Sequence, residues 1–281
     1  MQLLPLQYDP IVHAALVEDI GSGDVTTLLT VPPGAVARAV MMAKGDGVLA
    51  GLAVGCRAFS MVDPHVVWEP HADDGDPVTP GLPIATISGP ARGILTGERV
   101  ALNLIQRLSG TATLTRRFVD AVAGTGARIV DTRKTTPGLR TLEKYAVRMG
   151  GGANHRTGLY DAVLIKDNHL AAGGGVLAAV RRARERAPHT MKIEVECKTL
   201  EQVDQAIESG ADIILLDNMT LAEMAHAVGR IRGTGALTEA SGGVRLETAR
   251  AIAETGVDLI SVGALTHSAP ALDISLDFEI G

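Results

Sequence analysis

The chain has 281 residues, with 26 Lys and Arg against 32 Asp and Glu for a net charge of −6, and 46% hydrophobic residues of which few are aromatic (2% of the chain). An acidic chain this poor in aromatic rings lacks the basic face and stacking platforms of a nucleic-acid binder, and its composition is neither disordered nor fibrous. Cys56 and Cys197 are far apart and outside any C-x-x-C pair, so neither a disulfide framework nor a structural zinc site is expected. The uncharged stretch Gly47–Cys56 is too short to cross a bilayer. The first basic residue is Arg38, so Met1–Leu16 lacks the charged start of a signal peptide. A cytoplasmic protein with no membrane or nucleic-acid partner is expected.

In chain order, Ile11–Ile20 has helical apolar spacing and stops at Gly21-Ser22-Gly23. Val36–Met42, Val66–Trp68 and Ile84–Ile87 read as strands, the last two separated by turn chemistry at Asp74-Gly75-Asp76-Pro77 and Thr79-Pro80-Gly81. Arg92–Val122 keeps a helical period without proline, with a break or kink expected at Ser109-Gly110-Thr111. From Arg128 the rhythm changes. Strands are expected at Arg128–Val130, Ala162–Ile165, Met191–Val195, Asp212–Leu216, Ala236–Thr238 and Leu259–Val262. They alternate with helical stretches at Leu139–Arg148, Gly175–Ala187, Leu200–Ser209, Leu221–Ile231 and Arg245–Glu254. That alternation implies an α/β fold with a parallel sheet and right-handed crossovers, six strands where the common barrel has eight.

Every one of the six strands ends in polar residues: Asp131-Thr132-Arg133-Lys134, Lys166-Asp167-Asn168-His169, Glu196, Asp217-Asn218, Glu239-Ala240-Ser241-Gly242-Gly243 and Gly263. Carboxyl ends of parallel strands converge on one face, where such folds place their active site. Residues 128–168 hold eight Lys and Arg against four Asp and Glu, a local +4 in a chain of −6, which points to a strongly anionic ligand met by guanidinium forks. Arg140, Lys144 and Arg148, spaced i, i+4 and i+8, could equally form one solvated helix face. Ser241-Gly242-Gly243 precedes a helix, and its backbone N–H groups can approach an anion, with Gly263 as the matching turn on the last strand. Glu196 and Asp217 facing a phosphate-rich pocket would hold Mg²⁺, often through water, or ribose hydroxyls. His155, beside Asn154 and Arg156 after a glycine run, is a candidate ligand contact.

These stretches carry a family resemblance. Asp131 to Arg140, Gly151 to Arg156, Leu164 to His169, Leu215 to Asn218, Ala240 to Gly243 and Ser261 to His267 occur in the order and spacing of the quinolinate phosphoribosyltransferases. The match extends to Asp19–Thr27 and Leu95–Arg99, nearly the whole chain. The resemblance implies an N-terminal α/β sandwich over residues 1–110, to which residues 269–281 return, and an incomplete six-stranded (β/α) barrel over residues 111–268. It also implies a homodimer, or a higher oligomer, in which Arg99 enters the site from the partner chain. Arg133, Arg156 and Lys166 would grip the two carboxylates of quinolinate, with His155 nearby. Lys134 would face the pyrophosphate of phosphoribosyl pyrophosphate, Glu196 and Asp217 the ribose hydroxyls and Mg²⁺, and Ser241, Gly242 and Gly263 the 5-phosphate.

The implied activity is phosphoribosyl transfer to quinolinate with decarboxylation, giving nicotinate mononucleotide, CO₂ and pyrophosphate in de novo NAD synthesis. Lys134, Lys166, Glu196 and Asp217 are the expected catalytic residues. The proton that replaces the lost carboxyl could come from Lys166, His155 or water. Two other readings compete: a paralogous transferase of the molybdate-transport-associated type acting on another carboxylated ring, and a Schiff-base aldolase using Lys166.

Overall fold

In the computed structural model, which describes residues 3–279, the chain divides into two compact units: Met1–Arg116 with Thr135–Gly151 and Leu265–Gly281, and Arg117–Lys134 with Gly152–Ala264. The last two residues of the expected returning segment, 280 and 281, lie outside the described residues.

The first unit holds helices α1 (Pro5–Ile20), α2 (Val25–Thr30), α3 (Leu52–Val62), α5 (Arg140–Met149) and all but the last turn or so of α4 (Ala91–Ala121). Its strands are β1 (Val36–Ala43), β2 (Gly47–Val48), β3 (Val67–Pro70), β4 (Pro77–Val78), β5 (Pro83–Pro90) and, from the end of the chain, β12 (Ile274–Phe278). The antiparallel sheet runs β12-β1-β5-β3, and β2 pairs with β4. Period-two alternation sends Ala39, Met41 and Ala43 of β1 inward with no exposed surface, while α1 contributes Tyr8, Val12 and Leu16 from one stripe. Aromatics being scarce, this core is filled mainly by Ala, Val, Ile and Leu around one tilted Phe59–Trp68 pair, with ring centroids 6.1 Å apart.

The break expected at Ser109-Gly110-Thr111 does not occur, and α4 runs unbroken. These residues are small and polar for packing. Ala50 N donates to Ser109 Oγ at 3.0 Å. A Cβ on Gly110 would run into the Pro270 carbonyl. Gly110 therefore marks a close backbone approach inside a helix, which sequence alone cannot tell from a helix breaker. On α5, Lys144 is only 3% exposed, so the Arg140, Lys144 and Arg148 row is not a solvated face.

The second unit carries six parallel strands: β6 (Arg128–Val130), β7 (Val163–Ile165), β8 (Ile193–Cys197), β9 (Ile213–Asp217), β10 (Leu237–Ser241) and β11 (Leu259–Ser261). Their order is β6-β11-β10-β9-β8-β7, so β6 and β7, neighbours in sequence, form opposite edges and the barrel stays open. The intervening helices are α6 (Asp167–Gly173), α7 (Gly175–Arg186), α8 (Leu200–Glu208), α9 (Leu221–Ile231) and α10 (Leu246–Glu254); the single turn α11 (Ala264–His267) begins at the last residue of this unit and continues in the first. Thr199 and Thr220 cap α8 and α9 by accepting from Gln202 N and Glu223 N, and Glu223 completes a capping box. All six strands fall within a few residues of where the apolar runs place them. β10 reaches further than expected, to Ser241, because Glu239 sits inside the strand rather than after it. No helix among the described residues is long and apolar enough to cross a membrane.

Candidate active site

Nine of the eleven residues singled out in the sequence line one cavity of about 490 Å³ at the carboxyl ends of the barrel strands: Arg133, Lys134, His155, Arg156, Lys166, Glu196, Asp217, Ser241 and Gly242. Gly263, after β11, is not part of its wall, and Arg99 lies exposed on α4 in the first unit.

One part of the cavity is built from guanidinium groups. Arg133 follows β6, and Arg156 sits in a loop fixed by Asp161, whose carboxylate accepts from Thr157 N at 2.6 Å and Gly158 N at 2.9 Å. Arg156 Nη1 donates to the Ala162 carbonyl at 3.2 Å. The Nε atoms of Arg133 and Arg156 are buried and make no hydrogen bond. Burial, and then the neighbouring Arg133 charge, push the Arg156 guanidinium below its ordinary pKa. Two half-buried like charges with unpaired donors form a site that a dianion would relieve.

His155 is held at both ring nitrogens. The Arg156 backbone N–H donates to Nδ1 at 2.7 Å, and Nε2 lies 2.9 Å from Glu194 Oε2 and 3.7 Å from Glu239 Oε1. The loop beneath is fixed by Asp131, which accepts from His155 N at 2.9 Å and Asn154 Nδ2 at 2.6 Å. Glu194 is a functional candidate that sequence reasoning missed, and Glu239 figures there only as a polar strand end, without a role. The signal was present in Ile193-Glu194-Val195-Glu196, where period two puts both carboxylates on one face of β8.

Another part of the cavity pairs acids with lysine. Lys166 Nζ is 3.7 Å from Glu196 Oε2. Burial, and then the facing Asp217, raise the Glu196 carboxyl above its usual range, while Lys166 pulls the other way. Asp217 Oδ1 accepts from Asn218 Nδ2 at 3.0 Å. Asn218, named in the sequence only as a polar strand end, takes the left-handed conformation at φ 54°, as the only non-glycine residue described with positive φ. Its N–H donates to the Ser241 carbonyl at 2.9 Å. Gly242 and Gly243 follow at φ 94° and 61°, and a Cβ on Gly242 would strike the Asn218 side chain. Consecutive left-handed residues ahead of a helix turn their N–H groups toward one concavity, which suits an anion.

A barrel that gathers this much opposed charge at its strand ends belongs to the class of enzymes that hold polyanionic substrates in a partly enclosed cleft. Comparison with known proteins specifies which. The model of the quinolinate phosphoribosyl transferase N-terminal domain matches residues 24–109, and that of the C-terminal domain residues 111–277. The chain belongs to the quinolinate phosphoribosyltransferase family. A probable nicotinate-nucleotide pyrophosphorylase [carboxylating] of Bacillus subtilis is 48% identical over 98% of this chain and 94% of its own length. The nicotinate-nucleotide pyrophosphorylase [carboxylating] of Mycobacterium leprae is 48% identical over 95% of each. The crystal structure of NadC from Streptococcus pyogenes superposes with a TM-score of 0.95 at 43% identity, over 99% of this chain and 98% of that one.

Proposed function

We propose that the cavity transfers the phosphoribosyl group of phosphoribosyl pyrophosphate to quinolinate with loss of CO₂, giving nicotinate mononucleotide and pyrophosphate for NAD synthesis. Family membership and the relatives' activity support the reaction, and the observation that carries the substrate is the pair of guanidinium groups with unsatisfied buried donors at Arg133 and Arg156. Quinolinate brings two carboxylates on adjacent ring carbons, a charge and spacing that two forks can share. Lys166 adds a third cation at the same cavity.

The phosphoribosyl substrate takes the acid and glycine part. Gly242 and Gly243, with Ser241, receive the 5-phosphate on backbone N–H groups. Lys134 faces the departing pyrophosphate, where its charge offsets the negative charge that builds on the leaving oxygen. Glu196 and Asp217 are hard oxygen donors whose mutual repulsion a divalent cation would relieve, so the residues present fit Mg²⁺. When bound there, Mg²⁺ supplies charge neutralisation for the pyrophosphate and orientation of the ribose hydroxyls. The protein's own part is largely positioning: the pyridine nitrogen is held in line with ribose C1 as the bond to pyrophosphate lengthens, which can supply several powers of ten in rate. The new pyridinium then draws in the electron pair left at C2 as CO₂ departs.

The site is further proposed to work in a homodimer, with Arg99 supplied by the partner chain. Arg99 is exposed in the first unit and makes no ion pair among those described, as a residue reserved for another chain would be. Mixing inactive Arg99→Ala and Lys134→Ala chains tests this: hybrid dimers should regain activity at one site, and no recovery after verified exchange of chains contradicts it.

The reaction is tested by supplying quinolinate or nicotinate with phosphoribosyl pyrophosphate and Mg²⁺ and identifying the product by NMR. Nicotinate mononucleotide is expected from quinolinate. Faster formation from nicotinate, which needs no decarboxylation, would contradict the assignment.

A further inference from the structure

The cavity holds a buried cluster that quinolinate recognition leaves without a task. Glu194 of β8 and Glu239 of β10 keep 3% and 1% of their side chains exposed, and Glu239 lines the cavity. Each has one carboxylate oxygen with no hydrogen-bond partner. His155 offers the two of them a single N–H: Nδ1 accepts the Arg156 N–H, which fixes the neutral tautomer with its proton on Nε2, aimed at Glu194. Asp131 lies close enough to add to the negative field at Glu239.

The ligand atoms of His155, Glu194 and Glu239 lie within 4.8 Å of one another, which also suits a metal ion. The tautomer argues against one. A metal on Nε2 would displace the only ring proton and leave an imidazolate, since Nδ1 is already an acceptor, whereas metal-bound histidines donate from their other nitrogen. The buried Glu239 carboxyl, with Glu194 beside it and a neutral ring between them, is instead a place to keep a proton, because burial and a like charge nearby both disfavour its ionised form. Burial first, and then the Glu194 charge, push the Glu239 carboxyl up to about 7 even against a positive charge on His155, which the neutral ring does not supply, while the Ser261 hydroxyl pulls the other way.

Decarboxylation needs one proton at C2. The arginines keep theirs, His155 points its N–H at Glu194, and Lys166 faces Glu196. We infer that Glu239 is the acid that protonates C2 after CO₂ leaves, with Glu194 and His155 as positioning residues that hold its proton in the wall of the cavity. The inference rests on the transfer and decarboxylation reading above. The C2–carboxylate bond breaks and leaves its pair on C2 beside the pyridinium nitrogen. The Glu239 O–H bond then breaks, its pair stays on the carboxylate, and the proton forms the C2–H bond; until it does, CO₂ held in the cavity recombines with C2, so net CO₂ release waits on Glu239. Solvent returns one proton to Glu239 per turnover.

The test separates the two halves of the reaction. Glu239→Gln keeps the shape and removes the acid. It should bind both substrates within about threefold of wild type and release pyrophosphate once per site, while CO₂ release slows about 10²-fold or more. In wild type, single-turnover CO₂ release should be full below about pH 7 and fall above it as Glu239 loses its proton, a limb the variant lacks. Pyrophosphate and CO₂ slowing together, or CO₂ unaffected, overturns the role of Glu239. Should the variant fail to fold, a flat wild-type CO₂ profile from pH 6 to about 8.5 overturns it equally. Wild type that releases no CO₂ from quinolinate contradicts the underlying reaction instead, so the two failures are distinguishable.

Discussion

At the scale of residues, the proposed site leaves charge unsatisfied at its guanidinium groups. Arg133 and Arg156 sit half-buried with idle Nε donors, so a ligand carboxylate gains charged hydrogen bonds without displacing a protein partner there. Arg133→Ala should cost about 1.5–3 kcal/mol of quinolinate binding, roughly 10- to 150-fold in affinity, and leave phosphoribosyl pyrophosphate binding nearly unchanged by calorimetry. Equal loss of both ligands would remove the carboxylate role from Arg133. Gly242→Ala should do the reverse. Its methyl meets the Asn218 side chain, and its left-handed φ of 94° disfavours any side chain, so the expected effect is a raised KM for phosphoribosyl pyrophosphate with that for quinolinate held. Steady-state kinetics with each substrate varied in turn checks it.

At the scale of elements, the devices that hold the strands in register are local and polar. Asp212, just ahead of β9, accepts from Ile193 N at 2.8 Å and from Arg184 Nη2 at 2.7 Å. Burial pushes its carboxyl upward, but the Ile193 N–H and the Arg184 charge outweigh that and hold it below the usual carboxylate range. A lowered folded-state pKa stabilises the fold above the unfolded value near 3.9, and this contribution disappears as pH falls through the folded value. Wild type should therefore lose more stability than Asp212→Asn between about pH 5 and pH 3, read from urea midpoints; parallel losses would contradict the clamp. In α4, Gly110→Ala puts a methyl against the Pro270 carbonyl and should destabilise the fold by about 1–3 kcal/mol, seen as a lower urea midpoint. A midpoint equal to wild type would show that the backbones are not in close contact there.

The same elements show what the sequence reveals and why. Strand positions in the barrel are legible because β/α alternation repeats one pattern six times, and the polar strand ends stand out against apolar runs. Gly110 misleads because a glycine that admits a neighbouring backbone and one that ends a helix look alike in sequence. Glu194 is hidden for a related reason. A charged residue inside an expected strand carries no sign of which face it occupies, and only the fold sets Glu194 beside His155 and near Glu239. Asn218 is legible only as a polar strand end, and its left-handed turn against Gly242 shows only in the fold.

At the scale of the whole molecule, the net charge of −6 conceals a local excess of bases in residues 128–168, proposed to meet carboxylates and phosphates, set against acids on β8 and β9, proposed to serve a cation and the ribose. The parallel sheet brings these segments together because every strand ends at one face, although they lie some 110 residues apart in sequence between Arg133 and Gly242. Removing Mg²⁺ with a chelator should abolish transfer, with activity restored by Mg²⁺ added back; full turnover in excess chelator would contradict the role given to Glu196 and Asp217. The central claim, that one cavity couples phosphoribosyl transfer to decarboxylation, is tested most directly by counting products. With quinolinate labelled at its 2-carboxyl, the expected result is one labelled CO₂ and one pyrophosphate for each nicotinate mononucleotide formed. Pyrophosphate release with the label retained in the product would contradict it.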